Sequence, residues 1–115
     1  MSIILHITQR PQWEEAKRDR VYRSDTLASE GFIHCSTPKQ AIAVANRFFS
    51  GQQGLIILCI DTERVQSEIR YEGIEELFPH IYGPLNVDAV FQVMKLEPGI
   101  DGKFELPAQL TQLFD

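Results

Sequence analysis

Hydrophobic positions along this chain fall into short apolar runs separated by polar turns, a pattern typical of strands. The longest run, residues 54–60, is apolar throughout and predicts a central strand buried on both faces. Residues 3–7, 32–35 and 87–96 predict three further strands. Residues 68–72 alternate between polar and apolar side chains, which indicates a half-exposed strand.

A first helix is predicted over residues 11–18. Its sequence starts with a proline, which favours an early helical position, and Thr8 is a candidate cap. Trp13 and Ala16 lie three residues apart, so they share one face that we expect to be buried.

Residues 37–40, Thr-Pro-Lys-Gln, form a capping-box pattern that predicts the start of a second helix. We expect this helix to extend to about Phe49, because a Ser-Gly pair follows. Its predicted apolar face consists of Ala41, Ile42, Val44, Ala45, Phe48 and Phe49.

The remaining segments predict short or irregular structure. Tyr22 lies in an extended link, and residues 24–30 favour one turn of helix. Residues 78–85 contain two prolines and a glycine, which predicts an irregular but packed segment. Residues 104–106 predict a short strand, and residues 107–114 predict a final helical turn.

The order β-α-β-α-β-β-β favours an α+β fold with a mixed or antiparallel sheet. With 115 residues, 43% hydrophobic and 23% charged, we expect one soluble domain spanning 1–115. The net charge of −5 argues against bulk nucleic-acid binding. The start of the chain lacks a signal-peptide pattern, and no apolar run approaches the roughly 20 residues that cross a bilayer. We therefore expect a cytoplasmic protein without a membrane partner; the sequence does not specify its oligomeric state.

The two cysteines, Cys35 and Cys59, both lie within strand-like runs. Such positions are typical of buried, reduced thiols that pack as small apolar side chains. Their spacing fits neither a metal knuckle nor a redox motif. A nucleophilic Cys–His pair is an alternative role for either thiol.

The chain has three histidines, His6, His34 and His80, and each lies in or beside a short apolar segment. A titratable side chain in such a position is costly unless it is paired or used. Each imidazole could fill a structural role alone, or the three could share one site. We treat all three as candidate catalytic residues, since imidazoles suit hydrogen bonding and proton transfer.

Strand alternation places Phe32 and His34 on one face, and Ile33 and Cys35 on the other. If the helix after Ser36 covers the face of Ile33 and Cys35, His34 faces a cleft.

Other chemistries have weaker support in the sequence. A three-histidine zinc site lacks any closely spaced pair to organise it, so no metal ligands are assigned. The carboxylates at Glu72, Glu75 and Glu76 suggest a solvated loop rather than a hydrolytic pair. A glycine-rich phosphate fingerprint is also absent.

Several blocks of the sequence resemble the protein family of unknown function numbered 952. They are residues 5–8 (Leu-His-Ile-Thr), 30–36 (Glu-Gly-Phe-Ile-His-Cys-Ser), 78–85 (Phe-Pro-His-Ile-Tyr-Gly-Pro-Leu) and 101–107 (Asp-Gly-Lys-Phe-Glu-Leu-Pro). The resemblance extends from about residue 3 to residue 107.

This resemblance implies a fold similar to that of ADP-ribosyltransferases, a split β-sheet core with a few short helices and a cleft that holds NAD. His6 and Thr8 look like the His and Thr of the first core strand in such enzymes. Gly31 and His34 resemble the second-strand motif, and His34 with Ser36 is similar to the His-x-Ser of RNA 2′-phosphotransferases. The late acidic residue of such enzymes has no clear counterpart in the sequence.

The resemblance therefore implies a cleft that binds a nucleotide, NAD or a phosphorylated small molecule. Arg70 is the candidate cation for a phosphate, with Arg23 as its alternative. The full set of candidate ligand-binding residues is Thr8, Ser36, Tyr82, Tyr22 and Arg70. Two alternatives stay open, a non-catalytic protein-binding module and a metal-dependent hydrolase. The sequence by itself specifies neither a reaction nor a cofactor.

Overall fold

The computed structural model describes residues 2–112, which form an α+β fold of antiparallel sheets with a few short helices. The strands are β1 (Ile3–Gln9), β2 (Val21–Tyr22), β3 (Ile33–His34), β4 (Leu55–Asp61), β5 (Glu68–Glu72), β6 (Phe78–Tyr82), β7 (Leu85–Asn86) and β8 (Val90–Leu96). The helices are α1 (Arg10–Asp19), α2 (Asp25–Glu30), α3 (Ala41–Phe48) and α4 (Ala108–Thr111), with 3₁₀ turns at Thr62–Arg64 and Val87–Ala89. The described residues include no helix long and apolar enough to cross a membrane.

The central strand of the first sheet is β4, which pairs antiparallel with β1 on one side and β8 on the other. Every residue of β4 is buried, as the continuous apolar run that ends at Ile60 predicts. One face of this sheet packs with α3, and the opposite face packs with Trp13 and Tyr22. Burial on both faces explains why β4 carries no alternation.

Helix α1 buries Trp13 and Ala16, as predicted. The helix begins at Arg10 after Gln9, so the prediction of Thr8 as its cap is wrong. Thr8 instead lies within β1, where extended geometry turns its side chain towards the protein interior.

The segment 37–40 forms a turn, and α3 begins at Ala41, three residues later than a cap at Thr37 predicts. Half of the predicted capping box is present, because the Thr37 N–H donates to Gln40 Oε1 at 3.0 Å. Ala41 and Ala45 are buried as expected, but Phe48 is 63% exposed. The buried face of α3 is therefore narrower than the apolar face that the sequence predicts.

Helix α3 packs on the face of the first sheet that carries Leu5. It does not cover Ile33 and Cys35, which pack with Ile4 and Tyr22 instead. The expectation that the helix after Ser36 covers Ile33 and Cys35 is therefore wrong. Core side chains of the opposite face of the first sheet cover them.

The second sheet has the order β3–β6–β5, and its central strand corrects the prediction that residues 78–85 are irregular. Proline is tolerated in β6 because of where its ring nitrogen points. The Pro79 carbonyl accepts from the Cys35 N–H at 3.0 Å, so the missing Pro79 N–H also faces that side. The ladder with β3 ends there at His34, and pairing with β5 is unaffected.

The late part of the chain differs from prediction in two places. Strand β8 starts at Val90 after a 3₁₀ turn, whereas residues 87–96 were expected to be strand throughout. Residues 104–106 form no strand; the Asn46 side chain bonds both backbone groups of Phe104, at 2.7 and 3.1 Å. Helix α4 falls within the predicted terminal turn, of which residues 113 and 114 lie outside the described part of the chain.

Replacing Gly73 with alanine is expected to lower the free energy of unfolding by about 1–3 kcal/mol. Gly73 has φ +154°, and an added Cβ would lie 1.9 Å from the Glu76 carbonyl oxygen. Gly31 (φ +89°) has open space around its Cβ position, so Gly31→Ala should cost only about 1 kcal/mol. Denaturant unfolding of both variants measures the difference, and equal losses would contradict the predicted backbone clash.

Candidate functional site

His34 and His80 lie opposite each other on neighbouring strands β3 and β6. The Cys35–Pro79 bond makes the adjacent His34–His80 position a non-hydrogen-bonded pair, where Cα atoms approach to about 4.5 Å. The two imidazole centroids are 5.2 Å apart. Both side chains therefore occupy the outer face of the second sheet, opposite Ile33 and Ile81, as the alternation in β3 predicts.

Two aromatic side chains complete this arrangement. The Phe32 ring stacks on His80, with centroids 4.2 Å apart and planes 21° from parallel. Phe32 also contacts His34 at 4.8 Å and Tyr82 at 5.1 Å between centroids. We call Phe32, His34, Glu72, His80 and Tyr82 the sheet-face cluster.

Glu72 organises the sheet-face cluster from the neighbouring strand β5. Its Oε1 accepts from the Tyr82 hydroxyl at 2.6 Å and from His80 Nδ1 at 2.9 Å. These two donors lower the pKa of Glu72, Tyr82 most strongly, while the same bond raises the pKa of Tyr82. A carboxylate thus holds His80 with Nδ1 as the donor, which leaves Nε2 as the free nitrogen.

The free nitrogen of His80 faces accessible space. The His80 side chain is 14% exposed. Within residues 2–112 every buried side-chain nitrogen or oxygen has a hydrogen-bond partner, so the free Nε2 of His80 is not buried. His34 is half exposed, and its Nε2 lies 3.2 Å from Glu30 Oε2. A carboxylate behind an imidazole orients it and supports proton transfer at the opposite nitrogen.

Arg70 lies beside the sheet-face cluster on β5. Its guanidinium is 4.4 Å from the centroid of the Tyr82 ring and 3.0 Å from Glu68 Oε1. The Glu68 partner raises the pKa of Arg70, and Arg70 lowers the pKa of Glu68. Arg23, the alternative cation, is exposed in the link between β2 and α2.

His6 occupies a different environment, a buried network beneath β3. Its Nδ1 lies 2.6 Å from the His34 carbonyl oxygen, and its Nε2 lies 2.7 Å from the Tyr22 hydroxyl. Tyr22 Oη is 2.9 Å from Thr8 Oγ1, which is 2.5 Å from the Gln12 side chain. We call His6, Thr8, Gln12 and Tyr22 the buried network.

Burial lowers the pKa of His6 to about 4 and raises that of Tyr22 to about 12, so both are neutral near pH 7. A carbonyl only accepts, so the single His6 proton sits on Nδ1 and the Tyr22 hydroxyl donates to Nε2. Thr8 Oγ1 and Gln12 Oε1 extend this chain of hydrogen bonds from the Tyr22 hydroxyl.

The structure therefore divides the predicted site residues into two groups. His34, His80 and Tyr82 share the sheet-face cluster, with Arg70 at its margin. His6, Thr8 and Tyr22 form the buried network, and the His34 backbone carbonyl joins the two groups. Ser36 is buried, and its backbone bonds that of Leu5 at 2.7 and 2.8 Å.

Glu72 is the site residue that the sequence reasoning missed. The alternation of residues 68–72 places 68, 70 and 72 on one face, which was the available signal. The hydrogen-bond partners of Glu72 could not be inferred, because they lie within residues 78–85, which the sequence predicts to be irregular. Once β6 pairs with β5, Glu72 lies opposite Phe78, within reach of His80 and Tyr82.

The two thiols are poor nucleophiles in this fold. Both are buried, and desolvation raises the pKa of Cys35 and raises that of Cys59 to about 12. Neither supplies a thiolate near neutral pH, which argues against the Cys–His alternative. Within residues 2–112, no group of three or more His, Cys, Asp or Glu side chains is arranged to hold a metal ion.

The fold and site define an α+β protein of antiparallel sheets with an imidazole–carboxylate cluster on an open sheet face. Residues 7–93 match the family described as protein of unknown function (DUF952), and the chain belongs to this family. The X-ray structure of protein CC0527 from Caulobacter crescentus is 31% identical, with a TM-score of 0.87 over 96% of this chain and 99% of that chain. The solution NMR structure of CC0527 is 32% identical, with a TM-score of 0.80 over 92% and 94% of the two chains. No curated protein matches the sequence.

Proposed function

We propose that the sheet-face cluster binds a nucleotide-type ligand, such as a nucleotide, NAD or a phosphorylated relative. The observation that carries this proposal is the convergence of His80 and Tyr82 on Glu72 beside the stacked ring of Phe32. Aromatic faces bind planar bases by stacking, and a carboxylate with an imidazole binds sugar hydroxyls. The two halves of a nucleoside thus have complementary groups on one sheet face.

The charges around the cluster indicate which part of the ligand it contacts. Glu30, Glu68 and Glu72 carry negative charge here, and Arg70 is the nearby cation, already paired with Glu68. Such a surface repels a bare phosphate but accepts the base and ribose of a nucleoside. In this proposal the base and ribose contact the cluster, and any phosphate lies towards Arg70.

The ADP-ribosyltransferase-like split-sheet core remains part of this proposal. Two features support it. His6 and Thr8 share the first strand with the spacing such enzymes use, and Glu72 bonds His80, whose ring lies 5.2 Å from that of the second-strand histidine, His34. His6 then acts from behind the cluster, by holding the His34 carbonyl, rather than by touching the ligand.

Titration with NAD, ADP-ribose and adenosine monophosphate tests the proposal, with the imidazole resonances followed by NMR. At least one ligand is expected to shift the His34 and His80 resonances saturably. Glu72→Gln should raise the Kd of that ligand about tenfold, because charge-assisted hydrogen bonds are lost. Glu75→Gln, in the exposed loop after β5, is the matched control and should leave the Kd unchanged. If none of the three ligands shifts either histidine, the proposal is wrong.

A further inference from the structure

A second surface on the molecule, distinct from the sheet-face cluster, is a groove between helix α1 and strand β8. It has a volume of about 490 Å³ and is open to solvent. Its lining residues are Arg10, Trp13, Glu14, Lys17, Val90, Phe91, Gln92, Val93 and Lys95. We call it the α1–β8 groove.

The charge of the groove is opposite to that of the whole chain. Three cations, Arg10, Lys17 and Lys95, line it, against one carboxylate, Glu14, which is paired with Lys17 at 2.9 Å. The chain as a whole carries a net charge of −5. A local cationic surface on an acidic protein indicates a negatively charged partner.

Apolar side chains line part of the groove, which borders an edge of the first sheet. Phe91 and Val93 are 37% and 36% exposed, and Trp13 lies beside them. Among residues 2–112, strand β8 pairs only with β4, so alternate residues along its other edge present backbone donors and acceptors without a strand partner. Such an edge accepts an added strand, whose side chains alternate between the groove and the opposite face.

We propose that the α1–β8 groove binds an extended acidic peptide, which adds to β8 as a further strand. Its backbone would pair with the free edge of β8, its apolar side chains would cover Phe91 and Val93, and its carboxylates would meet Arg10 and Lys95. A second copy of this chain fits less well, because edge-to-edge pairing would bring the cationic rims of both copies together. This proposal is independent of the sheet-face cluster.

The tryptophan provides a direct probe, because Trp13 is the chain's single tryptophan and lines the groove. The test peptide is acetyl-Glu-Ser-Val-Ser-Val-Ser-Glu-amide, whose Glu and Val side chains share one face of an extended strand. It is added to the full chain while tryptophan fluorescence is recorded. A saturable change is expected, and it should weaken as the salt concentration rises. A peptide with Lys in place of Glu is expected not to bind.

The variant Arg10→Glu/Lys95→Glu should raise the Kd of this peptide by about tenfold or more. Lys39→Glu/Lys103→Glu makes the same change in net charge at exposed positions outside the groove, and should bind as the wild type does. An acidic peptide with proline in place of valine cannot complete a strand ladder and should bind much more weakly.

Three results would overturn the proposal. If the peptide with Glu and Val leaves the tryptophan fluorescence unchanged, the groove does not bind an acidic strand. Equal binding of the proline peptide would show attraction by charge without strand addition. A fluorescence change that follows protein concentration alone would show that a second copy occupies the groove. None of these results bears on nucleotide binding by the sheet-face cluster.

Discussion

Lowering the pH from 7 to 5 is expected to reduce the free energy of unfolding by about 2 kcal/mol through His6 alone. The folded-state pKa of His6 is about 4, against an ordinary value of 6.5, because burial disfavours the imidazolium. As the pH falls below 6.5, the unfolded chain therefore binds a proton that the folded chain does not. The contribution of neutral His6 to the free energy of unfolding is fully present above pH 6.5 and declines between pH 6.5 and pH 4. The total loss is about 3 kcal/mol.

Denaturant unfolding at pH 7 and pH 5 measures this loss, and His6→Gln should remove it from the pH dependence. The lowered pKa values of Glu68 and Glu72 change the free energy of unfolding only below about their ordinary value of 4.5. These two carboxylates therefore do not contribute to the loss measured between pH 7 and pH 5. Ile33→Val is the control, because it loosens the same buried region without removing a titrating group. Equal pH dependence in His6→Gln and the wild type would show that the folded protein accepts a proton on His6.

Truncating Ile81 to alanine is expected to destabilise the protein by about 2–5 kcal/mol. Ile81 lies in the middle of β6, is fully buried, and packs in the core shared by Ile33 and Tyr22. Its removal leaves a cavity directly beneath the sheet-face cluster. Circular dichroism during denaturant unfolding gives the size of the loss.

Ile74→Ala provides the matched comparison for Ile81→Ala. Ile74 lies in the loop between β5 and β6 and is fully exposed, so its truncation should change stability by less than about 0.5 kcal/mol. A similarly small effect at Ile81 would mean that residues 78–85 form the irregular segment that their prolines suggest. The pair of variants thus tests the central position of β6.

The elements with the strongest local pattern are the ones that sequence reasoning placed correctly. Strand β4 is apolar at nearly every position, and β5 alternates over the same five residues that form the strand. Trp13 and Ala16 mark the buried face of α1. In these elements local geometry and tertiary burial favour the same structure, so a short window of sequence is sufficient.

Elements whose structure depends on a distant partner were placed less well. Pro79 argues locally against a strand, yet the ladder with β3 ends where its missing N–H would be needed. Phe48 fits the apolar stripe of α3 but is exposed, because the helix turns Ala41 and Ala45 towards the sheet, with Ile42 and Phe49 partly buried beside them. In both places the deciding contact comes from residues far away in sequence.

The sequence alone identified the three histidines as candidate site residues, because a polar, titratable side chain beside an apolar run needs a hydrogen-bond partner or a functional role. The alternation of β3 also determined that His34 faces away from Ile33. Only the tertiary structure separated them, with His34 and His80 paired across two strands and His6 buried against Tyr22. It also brought Glu72 to His80, because strand register joins residues that no local spacing relates.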